Sequence, residues 1–92
     1  METVTSVETL EDYRLKVVFS TGDIKLFDVK PYLDRGIFSR LRDAALFGQA
    51  YVAYDTVCWP GNLDISPDTL FDRGIVINAV KLSPSSGQPR AR

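Results

Sequence analysis

No histidine occurs anywhere in the 92 residues. Its absence removes the side chain that most often serves as general base, as partner to a nucleophilic Ser or Cys, and as metal ligand. A single cysteine, Cys58, precludes an internal disulfide and points to a reducing, cytoplasmic setting. No apolar run approaches the ~18–20 residues that span a bilayer, so no membrane association is expected. The opening Met1-Glu2-Thr3-Val4 is acidic and lacks an apolar segment, so no signal peptide is expected either. A surplus of positive charge is also missing: 11 Lys and Arg stand against 12 Asp and Glu, a net charge of −1. A generic nucleic-acid surface carries a clear basic excess, and this balance disfavours one. The 6 glycines are scattered singly, which excludes a glycine-rich phosphate loop.

What is present is the composition of an ordinary folded domain, 45% hydrophobic and 25% charged. The length allows one domain, expected over residues 1–74. Val4, Val7 and Leu10 mark a first short strand. Tyr13, Leu15, Val17 and Phe19 alternate with mostly polar neighbours, the period-two signature of a strand with one apolar face. Ser20-Thr21-Gly22-Asp23 reads as a turn and Ile24–Val29 as the returning strand. A two-residue Thr21-Gly22 loop would set Phe19 opposite Ile24 and Val17 opposite Leu26. A three-residue bulged loop is equally open, because Thr21 suits a type I′ turn poorly.

From Pro31 to Gly48 the chain reads as two or three short helical turns. Pro31 starts one and Gly36 closes it; Phe38 and Leu41 share a face, and Asp43 caps Ala44-Ala45-Leu46-Phe47. A second hairpin follows, with Ala50–Tyr54 and Thr56–Trp59 around Asp55, stopped by Pro60-Gly61. Leu63-Asp64-Ile65 is short and extended. Ser66 then caps a helix, Pro67 takes its first position, and Asp68 lies where the helix dipole favours negative charge. Residues 75–82 are apolar and β-branched; they read as an extra strand or as a segment for self-association into a homo-oligomer. Residues 83–92 have the composition of a flexible tail.

The order of these motifs carries a resemblance. Leu15-x-Val17-x-Phe19, Thr21-Gly22 and Phe27-Asp28-Val29 come first. Gly36-x-Phe38-x-x-Leu41-x-Asp43-x-x-x-Phe47 follows, then Trp59 and Leu63-Asp64-Ile65-x-Pro67-Asp68-x-Leu70. This series, from about Val7 to Phe71, resembles the bacterial family known as domain of unknown function 2442. The resemblance implies a small single α+β domain: a twisted antiparallel sheet of about five strands with short helices. Some members of that family carry a following helix-turn-helix domain. Others stand alone beside a second small protein in a toxin–antitoxin-like gene arrangement. No helix-turn-helix is expected after Phe71, and the chain is expected to be of the stand-alone type. No catalytic residues are established for that family, so the resemblance brings none with it.

The residues themselves suggest little chemistry. Cys58, next to Trp59 in a predicted strand, reads as a small buried residue rather than a nucleophile. Asp64, Asp68 and Asp72 are spaced four apart, but Asp64 falls before the helix, so three converging metal ligands are not expected. Asp64 lies between two apolar residues, and its carboxylate is expected near the core, paired with the amides after Ser66 or with the Trp59 indole. Trp59 reads as core against the helix, or else as an aromatic anchor exposed beside Tyr51 and Tyr54. Arg35, Arg40 and Arg42 make the middle of the chain locally basic.

The expectation is a non-enzymatic protein-interaction module, an antitoxin-like or regulatory partner of a small neighbouring protein. Its binding residues would be Arg35, Arg40, Arg42, Tyr51 and Tyr54, with Trp59, Asp64 and Ser66 as structural residues. No metal or cofactor is expected. The alternative is a regulator that binds nucleic acid or a small ligand through the basic stretch.

Overall fold

The computed structural model describes residues 2–78. β1 (Val4–Leu10), β2 (Arg14–Phe19) and β3 (Ile24–Asp28) form an antiparallel meander. Two 3₁₀ turns, Lys30–Tyr32 and Gly36–Arg42, lead to α1 (Ala44–Phe47). A second meander follows, made of β4 (Tyr51–Ala53), β5 (Thr56–Trp59) and β6 (Leu63–Ile65). The chain then forms α2 (Pro67–Arg73) and returns as β7 (Ile75–Val76). The strand order is β1-β2-β3-β7 in one sheet and β4-β5-β6 in the other. The fold is therefore a small α+β domain, but its strands divide between two sheets instead of forming one of about five. Of the apolar run 75–82, Ile75 and Val76 pair with Leu26 and Lys25. Residues 79–82 and the tail 83–92 lie outside the described residues.

The first hairpin settles the register that the sequence left open. Phe19 N–H donates to the Asp23 carbonyl at 2.9 Å and Gly22 N–H to the Phe19 carbonyl at 2.9 Å, so the loop holds three residues, Ser20-Thr21-Gly22. Gly22 takes a φ of 93°, which only glycine adopts readily. Leu15 consequently faces Phe27, and Val17 faces Lys25 rather than Leu26. Leu15, Val17, Phe19 and Phe27 are all buried on one face, and Lys25 is drawn in with them. On β1, Val4 and Val7 are three residues apart and would point to opposite faces of a regular strand. A bulge between Val4 and Ser6 adds a residue there, so Val4 pairs with Phe19 and Val7 with Val17, both on the core side.

The head of the Lys25 side chain has two partners in this setting. Nζ donates to the Phe71 carbonyl in α2 and lies 3.5 Å from the centroid of the Phe71 ring. The stem packs in the core while the ammonium sits between a carbonyl and a π face. Phe71 also meets Phe19 edge-on at 5.1 Å, so this corner joins α2 to the first sheet.

The second sheet turns Val57, Trp59, Leu63 and Ile65 toward the same interior. Trp59 is wholly buried, stacks on Phe47 and donates its indole N–H to the Phe47 carbonyl at 2.9 Å. That carbonyl belongs to the last turn of α1 and lacks an intrahelical donor of its own. Tyr13 meets Phe47 from the other side, edge-on at 5.1 Å, and its hydroxyl donates to the Arg42 carbonyl. Both helices begin as their sequences indicate. The Asp43 side chain accepts from Ala45 N–H at 3.0 Å, and Ser66 Oγ accepts from Thr69 N–H at 3.2 Å.

Candidate functional site

The β4–β5 hairpin closes through two residues, Tyr54 and Asp55, between the paired Ala53 and Thr56. Both have positive φ, 53° and 64°, as a two-residue type I′ hairpin requires. Such turns favour Asn and Gly, and a tyrosine has no local reason to occupy one. Tyr54 is nonetheless there, and it is 89% exposed. Tyr51, at 45%, and Val52, at 36%, flank it on the outermost strand of the sheet. The turn is anchored from outside: Val4 N–H donates to the Asp55 carbonyl at 2.9 Å.

Pairing then aligns three side chains across the sheet. Tyr51 is opposite Cys58, and Cys58 is opposite Asp64. Side chains alternate along a strand, so this row faces away from the buried row of Val57, Trp59, Leu63 and Ile65. The expectation for Asp64 is thereby corrected. Its apolar neighbours Leu63 and Ile65 are buried because Asp64 points the other way, and Asp64 is exposed. The Trp59 indole is taken by Phe47, and the helix amide at Thr69 is taken by Ser66. The alternation Leu-Asp-Ile was itself the signal that Asp64 lies on the outer face.

Around this row runs a cleft of about 220 Å³, lined by Tyr51, Tyr54, Cys58, Trp59, Asn62, Leu63 and Asp64. Cys58 is buried at its base, with Sγ 3.5 Å from the Ala53 carbonyl. Burial pushes the Cys58 thiol above its ordinary value of 9.0, and the Asp64 charge pushes it further. That disfavours the thiolate, the form a nucleophile needs.

The arginines are dispersed. Arg42 pairs with Asp34 and donates Nε to the Leu33 carbonyl at 3.1 Å. Arg40 reaches the Gly61 carbonyl at 3.2 Å, and Gly61 leaves room for it: a Cβ there would meet Nη1 at 2.9 Å. Arg35 lies over the Tyr32 ring at 5.1 Å and borders a separate cleft of about 170 Å³ with Phe27, Asp28, Pro31, Tyr32 and Arg73. Tyr51 and Tyr54 are thus brought together, whereas Arg40 and Arg42 line neither cleft. Sequence reasoning had no part for Asn62 or Arg73 in these clefts. Among the described residues, no group of three or more His, Cys, Asp or Glu is placed to hold a metal, and no helix is long and apolar enough to cross a membrane.

A family model described as "Protein of unknown function (DUF2442)" matches residues 4–75. The chain belongs to that family. No curated protein and no solved structure matches it. The match to DUF2442 begins at the first residue of β1 and ends inside β7, so it covers both helices and nearly all of both sheets.

Proposed function

We propose that this DUF2442 chain is a non-enzymatic protein-interaction module that engages a small protein partner through the β4–β5 hairpin and neutralises or regulates it. The observation that carries this reading is Tyr54. A non-glycine residue in the left-handed region costs roughly 1–2 kcal/mol. Burial gives no return here, because the side chain stands almost wholly in solvent. Strained, exposed aromatic positions collect at binding surfaces, where the strain is repaid on contact. Tyr51 extends the same surface along the edge strand. The arginines support the reading less: Arg40 and Arg42 are engaged within the chain, and the acid–base balance is even.

The test is capture from lysate of the native host by immobilised wild-type chain and by Tyr51→Ser/Tyr54→Ser. Both side chains are exposed, so the double variant is expected to keep its circular dichroism spectrum. One protein should be retained by the wild type and lost by the variant. Equal retention by both would overturn the assignment of the hairpin. Retention of nucleic acid that disappears with moderate salt would favour the basic-stretch alternative.

A further inference from the structure

We infer that the cleft between Tyr51, Tyr54 and Asp64 receives a cationic side chain, arginine or lysine, presented by the partner; this rests on reading the chain as an interaction module. Tyr51, Cys58 and Asp64 form one row across three strands. Adjacent strands lie about 4.8 Å apart, so Tyr51 and Asp64 arise roughly 10 Å from each other. Between them the row carries only Cys58, the smallest of the three and already buried, so the middle of the row is a depression. Tyr54 closes one end from the turn.

The chemistry of the rim selects the charge. The Tyr51 and Tyr54 hydroxyls and the Asn62 amide can donate hydrogen bonds to a ligand of either charge, but the carboxylate of Asp64 repels an anion, and together with the faces of two phenol rings it attracts a cation. Among the described residues the ion pairs are Lys30 with Asp12 and Asp28, and Arg42 with Asp34, and Asp64 takes part in none of them. Arg40, which reaches the neighbouring loop, is bound to the Gly61 carbonyl and does not line the cleft. A cleft of about 220 Å³ is sized for one side-chain head and part of its stem, not for a whole cofactor.

The full chain, labelled with ¹⁵N, is titrated by NMR with N-acetylarginine methylamide and with its uncharged citrulline counterpart. Saturable shifts should map to Tyr51, Tyr54, Cys58 and Asp64 with the arginine probe and be nearly absent with citrulline. Asp64→Asn, an exposed and isosteric change, should weaken the arginine response about fivefold or more, as loss of one charged contact implies. Equal response to both probes, shifts centred on Arg35 and Arg73, or an unaltered response in Asp64→Asn would each overturn the inference. No partner is needed in this experiment. Tyrosine-dependent capture without an arginine response would therefore sink the cation site and leave the module standing. An arginine response with capture indifferent to Tyr51 and Tyr54 would show a cation-binding cleft but overturn its assignment to a partner's side chain.

Discussion

Cys58 and Lys25 show how single residues take their properties from what the fold sets around them. The Cys58 thiol is raised first by burial and then by Asp64 across the strand pair. Deprotonation is therefore easier in the unfolded chain than in the folded one. The thiol's contribution to stability is complete below its unfolded pKa and is lost as pH rises through the folded value. Urea unfolding at about pH 8 and about pH 10 should show a larger drop for wild type than for Cys58→Ala. Asp64→Asn should lower the pKa read from the Cys58 ¹³Cβ shift but leave it above 9.0, because burial is the larger cause. Lys25→Met keeps the buried stem and removes the ammonium. It forfeits the bond to the Phe71 carbonyl and the contact with the ring. A loss of about 1–3 kcal/mol is expected in urea unfolding.

At the scale of elements, the β4–β5 hairpin sets local preference against exposure. Changing Tyr54 to Asn and Asp55 to Gly would install the pair that a type I′ turn favours. The Val4 bond to the carbonyl of residue 55 is a backbone contact and survives the change. Stability should rise by about 1 kcal/mol while partner capture falls, measured by thermal unfolding and by the lysate experiment. A turn that gained no stability would remove the strain argument for Tyr54. The first hairpin offers a contrast. Its three-residue loop puts glycine at the positive φ, so no conformational penalty needs a functional explanation.

Across the whole molecule, two small sheets share one interior, and Trp59 is the residue that closes it. Its ring lies among the buried residues of both sheets, and its indole satisfies the end of α1. A domain of this size has a modest stability margin. Trp59→Phe leaves the Phe47 carbonyl without its donor and opens space against the Phe47 ring. A loss of about 2–4 kcal/mol and a fall in Tm on the order of 10 °C or more are expected by calorimetry. A change of only a degree or two would show that another contact bears this junction.

The sequence by itself determined the elements with strong local signals. The alternation of Leu15, Val17 and Phe19, the caps at Asp43 and Ser66, and the stop at Pro60-Gly61 depend on neighbours in the chain and recur in the structure. Placement on one face or the other was less legible. Ile24-Leu26 and Lys25-Phe27 are both acceptable apolar rows once a lysine stem is counted as apolar. Only the loop length and the waiting Phe71 carbonyl in α2 chose between them. The same holds for Asp64. Its outward direction was present in the alternation, but its meeting with Tyr51, Cys58 and Tyr54 required strands joined in register by hydrogen bonds. Division into two sheets was decided by the tertiary structure too, since local patterns specify strands and long-range pairing specifies which strands are neighbours.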